Sequence, residues 1–157
     1  MSETSDFNPR KPRSARLHDY WLGGKDNFAA DREAGMAALE AYPDIASSAR
    51  ATRAFLVRAV RYLAADPGIR QFLDIGVGMP AAGTLNTHEV ALSVSPECRV
   101  VYVDNDPEVS RHAVARLTGN DGVTNYAEAD VRDPGKILGE AARTLDLSQP
   151  VAVMLIA

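Results

Sequence analysis

Three short runs carry acidic residues just after apolar segments, where a parallel sheet would gather them at one edge. The first is Leu73-Asp74-Ile75-Gly76-Val77-Gly78-Met79-Pro80-Ala81. Gly76 and Gly78 let a ligand approach the backbone closely. The run formally fits G-x-G-x-x-A, a dinucleotide pattern. Asp74 argues against that ligand, because a carboxylate two residues before the first glycine repels a pyrophosphate. Pro80 also removes a backbone donor near the anion position. S-adenosylmethionine brings an ammonium and a sulfonium instead, and a carboxylate favours both, directly or through water. The plain alternative for Asp74 is an N-cap or turn carboxylate.

The second run is Val103-Asp104-Asn105-Asp106-Pro107. An acidic residue just past the second strand can accept hydrogen bonds from both ribose hydroxyls. Asp104 is first past the strand and takes that role, with Asn105 beside it. Asp106 suits the N-cap of the next helix, although the two aspartates could exchange roles. In the third run, Glu128-Ala129-Asp130-Val131-Arg132-Asp133-Pro134, Asp130 could accept from an adenine amine while the Val131 backbone reads the ring. Asp133 precedes Pro134 and suits a helix cap.

These placements require strands and helices that alternate. Apolar runs predict strands over Gln71–Ile75, Arg99–Val103, Thr124–Glu128 and Val151–Ile156. Helical spacing predicts helices over 86–95, 107–117 and 134–145 between them, and Asn120-Asp121-Gly122 as a turn. Such βαβ units build a parallel sheet with helices on both faces. Its expected strand order is 3-2-1-4, with ligands at the carboxyl ends.

Upstream, 31–41 and 44–65 predict two helices. The longer one carries Ile45, Ala49, Leu56, Ala59, Val60 and Leu63 on one face, and Arg50, Arg58 and Arg61 on a solvated one. In Ala15–Ala30, Gly23-Gly24 interrupts an aromatic segment. That pair predicts either a loop whose backbone nears a ligand or an ordinary turn between two short helices. Residues 1–14, with Arg10, Lys11 and Arg13, read as a flexible basic arm, and Arg16 extends its charge. The expected divisions are an arm over 1–14, a helical cap over 15–66 and a cofactor-binding core over 67–157.

Composition narrows the function. The chain has 157 residues, 46% hydrophobic and 24% charged, a globular balance sized for one domain. A net charge of -4 argues against a general nucleic-acid binder. The N-terminus lacks a secretory apolar run, and Val151–Ala157 is too short to cross a bilayer. Cys98 has no partner for an internal disulfide and reads as a small buried residue, which points to a reducing, cytoplasmic setting. His18, His88 and His112 are scattered, without metal-ligand spacing. No nucleophile has a recognisable partner arrangement.

Four segments carry a family resemblance: Arg16-Leu17-His18-Asp19-Tyr20-Trp21-Leu22-Gly23-Gly24-Lys25-Asp26-Asn27-Phe28, Phe72–Gly78, Asn86-Thr87-His88-Glu89-Val90 and Val101–Pro107. On these the chain resembles the actinobacterial S-adenosyl methyltransferase family, formerly a domain of unknown function, within the class I methyltransferases. The resemblance implies a Rossmann-like, seven-stranded sheet with S-adenosylmethionine over its strand ends. It also implies that the segment with Tyr20, Gly23 and Gly24 folds over the cofactor. The methyl acceptor is not implied, and neither is a catalytic base. The family's length further implies more strands after the fourth, so the sequence is expected to be an incomplete core.

The run Val151–Ala157 has no polar alternation, as in a strand covered on both faces. Left at an edge, it predicts self-association. The expected function is methyl transfer from S-adenosylmethionine. A non-catalytic binding or regulatory module is the alternative, and a nicotinamide-dependent oxidoreductase is a weaker one.

Overall fold

A computed structural model describes residues 8–80, 83–119 and 123–156. Residues 1–7 of the expected arm, Ala81 of the glycine pattern, the 120–122 turn and Ala157 lie outside them. Three helices come first: α1 (Ser14–Trp21), α2 (Ala29–Ala41) and α3 (Ile45–Ala65). An alternating unit follows, with β1 (Gln71–Ile75), α4 (Thr87–Val94), β2 (Arg99–Asp104), α5 (Pro107–Leu117), β3 (Thr124–Glu128), α6 (Pro134–Ala141) and β4 (Ala152–Met154). The sheet is parallel in the order β3-β2-β1-β4.

The period-two pattern of the strands sends alternate residues to two cores. Phe72, Val100 and Tyr102 pack under α3, α4 and α5 with Leu56, Val60, Val90 and Leu117. Leu73, Val101 and Val103 pack against Ile137 and Ala141 of α6. The parallel strands are buried on both faces, so their apolar runs are nearly continuous. Cys98 is buried in the first core.

Local chemistry sets the helix ends. Asp106 and Asp133 are N-caps, accepting from Glu108 N and Lys136 N, and a proline follows each. Helix α4 opens with a reciprocal cap in which Glu89 Oε2 accepts from Asn86 N at 2.7 Å. Helix α2 starts at Ala29, two residues earlier than its periodicity suggests, because Asp31 Oδ2 accepts from Phe28 N at 2.9 Å.

Two segments are shorter than their apolar patterns. Helix α6 stops at Ala141, and Arg143 N and Thr144 N bond three residues back in tightened turns that still bury Leu145. Strand β4 holds three residues, paired with Phe72–Asp74 of β1. Its Met154 is buried, whereas Val153 and Leu155 are 60% and 66% exposed. One side of this apolar strand therefore lacks cover among the described residues.

The basic segment departs furthest from expectation. Arg16 is 1% exposed rather than solvated. Its Nε donates to Asp31 of α2 at 2.8 Å, and its Nη1 to Glu108 of α5 at 2.5 Å. Its Nη2 donates to the carbonyls of Asn8 and Lys11, which fastens residues 8–11 to the body. Arg13 reaches Asp106 at 3.4 Å, and Arg116 of α5 binds Asp26 at 2.5 Å. The three leading helices are thereby clamped beside the carboxyl ends of the strands.

Candidate cofactor site

At those ends a cavity of about 360 Å³ opens between the leading helices and the sheet. That is within the size range of small-molecule sites, about 300–1,000 Å³. Its floor is Ile75 to Met79, Asp104 to Asp106, Ala129, Val131 and Ile156. It spans the gap between β1 and β4, where the strand order reverses and α/β folds bind ligands. The opposite wall is Ser14, Ala15, His18, Asp19 and Leu22 of the α1 segment, with Thr52, Arg53 and Leu56 of α3.

The glycine turn is held by the second strand. Gly76 N and Val77 N donate to Val103 O at 2.8 and 3.3 Å, and Gly78 N donates to Asp104 Oδ2 at 2.9 Å. Gly76 and Gly78 have φ of 78° and 63°, a region that favours glycine. A Cβ on either would meet nothing within 4 Å, so both border open space. The other Asp104 oxygen accepts from Asp106 N at 3.0 Å. Each carboxylate oxygen has two acceptor positions, so Asp104 keeps capacity for two more donors on the cavity side.

Asn105 and Val131 are in the cavity wall, and Val131 is exposed. Asp130 is outside it, bound to its own neighbour by Arg132 Nε and Nη2 at 2.9 and 2.6 Å. Those charged hydrogen bonds hold its carboxyl well below the usual range. Asp74 is also outside it and 2% exposed, accepting from Thr87 Oγ1 at 2.6 Å. Burial raises its pKa, while the Thr87 bond and the Arg53 charge pull it back. Its alternation along β1 turns it under the sheet rather than toward the glycine turn.

Tyr20, Gly23 and Gly24 also lie outside the wall. Gly23 N donates to Tyr20 O at 3.0 Å and Gly24 N to Asp19 O at 2.8 Å. With Gly23 at φ 81°, the pair forms a Schellman cap on α1. A Cβ on Gly24 would collide with Asp19, which explains the second glycine. Tyr20 lies against Gly35 of α2, where a Cβ would sit 2.6 Å from its ring. The Gly-Gly segment is thus the turn between two helices, and its neighbours His18, Asp19 and Leu22 face the cavity.

His18, Asp19 and Arg53 are site residues that sequence reasoning overlooked. Burial, and then the Arg53 charge, push the His18 imidazole below its ordinary pKa. Burial raises the pKa of Asp19, which accepts from Asn27 Nδ2 at 2.8 Å. Among the described residues no group of His, Cys, Asp and Glu is arranged to hold a metal ion. No described helix is long and apolar enough to cross a membrane.

A family model described as "S-adenosyl methyltransferase" matches residues 1–157. The chain belongs to the S-adenosyl methyltransferase family. Two solved structures are similar to it. One, a candidate methyltransferase from Thermobifida fusca YX, is 49% identical over 94% of this chain, with a TM-score of 0.88. The other, a DUF574 family protein from Streptomyces avermitilis MA-4680, is 49% identical over 90% of this chain, with a TM-score of 0.84. The chain spans 55% of the length of each. No curated protein matches it.

Proposed function

We propose that the cavity binds S-adenosylmethionine and that the protein serves methyl transfer to an acceptor still to be identified. The observation that carries this reading is the Asp104 carboxylate, fixed by Gly78 N–H and Asp106 N–H with acceptor capacity toward the cavity. A ribose diol suits that capacity. Ala129, Val131 and Asn105 supply an adjoining surface for an adenine ring. Gly76 and Gly78 leave backbone and open space where a thioether chain would pass. When bound, the cofactor supplies an already activated methyl group, and the protein's task is to hold and align it.

In this reading the α1 segment and α3 cover the cofactor, and the Arg16 clamp keeps α1 in place. Asp74 acts from below the floor through Thr87 at the first turn of α4. Val153 of β4 and Leu155 just after it, uncovered among the described residues, supply a surface for self-association in this reading. Calorimetric titration tests the cofactor assignment. S-adenosylhomocysteine should bind more tightly than NAD, and the reverse order would refute it.

A further inference from the structure

We infer that Arg53 receives the α-carboxylate of the cofactor's amino-acid end, which sets the direction in which the ligand lies in the cavity. This rests on the cofactor reading above. The cavity wall is acidic elsewhere, with Asp19, Asp104 and Asp106, and Arg53 is its sole Lys or Arg among the described residues. S-adenosylmethionine carries two positive centres and one negative one. The acidic residues suit the former, and the carboxylate needs a cation.

The geometry gives that cation a fixed place. Arg53 Nε donates to Thr84 Oγ1 at 3.2 Å, and its Nη2 to Leu85 O at 2.8 Å and Asn86 Oδ1 at 2.9 Å. These acceptors are neutral and engage one side of the guanidinium. Nη1 has no hydrogen bond among the described residues, and no carboxylate forms a salt bridge with Arg53 there. The guanidinium is therefore pre-positioned with its Nη1 edge open, although Glu89 and the buried Asp74 lie near enough to feel its charge. A planar fork of this kind suits a carboxylate better than an ammonium does.

Its location also bears on the ligand's direction. Arg53 stands at the β1–α4 side of the cavity, and Asp104 at the end of β2. Helix α1 runs past both. Arg13, just before it, reaches Asp106, and His18, more than a turn further on, feels the Arg53 charge. With the ribose at Asp104, which Gly78 N contacts directly, the amino-acid end would extend along the cavity toward Arg53 on α3. A carboxylate drawn there would also lie near His18.

The competing role for Arg53 is to tie residues 84–86 to α3, with no ligand contact. Two ligands separate the roles: S-adenosylhomocysteine and its decarboxylated analogue, which differs only in lacking the carboxylate. Titrations would use the wild type, Arg53→Gln and Arg53→Lys, each first checked for an unchanged melting transition with ligand absent. The wild type should favour S-adenosylhomocysteine by about 10- to 100-fold, the range of a hydrogen bond to a charged group. Arg53→Gln should collapse that preference to within about threefold by weakening S-adenosylhomocysteine alone, and Arg53→Lys should restore part of it.

Equal binding of both ligands by the wild type overturns the inference. So does an equal loss for both in Arg53→Gln, which is the signature of a loop anchor. If Arg53→Gln fails to fold, the wild-type preference and its reduction in Arg53→Lys decide the matter. Failure of the wild type to bind either ligand overturns the cofactor reading itself, a result distinct from a lost preference.

Discussion

Replacing Arg16 by methionine should detach the leading helices from the sheet and empty one wall of the cavity. Methionine roughly keeps the length of the stem and removes the charge. Glu108, 7% exposed, would lose its ion-pair partner, and Asp31, fully buried, would lose one of its bonds. Removing one partner of a buried pair costs about 3–5 kcal/mol. The lower end applies, because Asp31 keeps Arg13 N at 3.0 Å and Phe28 N at 2.9 Å. A loss of about 3 kcal/mol is large beside a total stability of about 5–15 kcal/mol. It corresponds to a drop of about 6–12 °C in melting temperature for a chain of this size. Urea unfolding followed by circular dichroism measures it. Arg16→Met/Glu108→Gln should be more stable than the sum of the single changes implies, by about 1 kcal/mol or more, because Gln removes the stranded charge. A loss below about 1 kcal/mol in Arg16→Met, with cofactor affinity unchanged, would refute the clamp.

Asp104→Ala should weaken S-adenosylhomocysteine binding by about 1.5–3 kcal/mol, whereas Asp106→Ala should mainly cost about 1 kcal/mol of stability as a lost helix cap. Calorimetry and urea unfolding on both variants check this, and a reversed pattern would contradict the ribose assignment. Asp74 has a folded pKa raised above 3.8. Its contribution to stability is therefore fully present below about pH 3.8 and is lost as pH rises through the higher folded value. Asp74→Asn, which keeps an acceptor for Thr87, should gain stability relative to wild type as pH climbs from 4 to 7 in urea titrations. A constant or shrinking difference would contradict the burial argument. Val153→Lys combined with Leu155→Lys should delay the onset of concentration-dependent association in size-exclusion chromatography, and an unchanged profile would show that β4 is not the sticky surface.

The first three strands were legible because their apolar runs end in turn residues and capped helices. Gln71–Ile75 and Thr124–Glu128 have the bounds that their composition implies. Asp106 and Asp133 were legible as caps because each precedes a proline. Arg16 was not legible, since a basic residue after two prolines reads as tail, and its partners Asp31 and Glu108 are 15 and 92 positions away. The Gly-Gly pair left two readings open for a related reason. Positive φ is needed equally at a helix C-cap and at a ligand turn, and only the bonds back to Tyr20 and Asp19 separate them. Arg53 did leave a signal. It shares the apolar face of α3 with Ala49, Leu56 and Val60, while Arg50, Arg58 and Arg61 point elsewhere. A charge on a buried stripe marks a residue with a partner or a ligand. Asp74 was legible as chemically unusual, but its direction depended on which core each β1 residue faces.

The most direct test of the central claim is a crystal structure of the protein grown with S-adenosylhomocysteine. The ribose hydroxyls should lie within hydrogen-bond distance of the Asp104 carboxylate, the adenine against Val131 and the thioether beside Gly76 and Gly78. Ligand bound elsewhere, or bound in this cavity with its ribose away from Asp104, would contradict it.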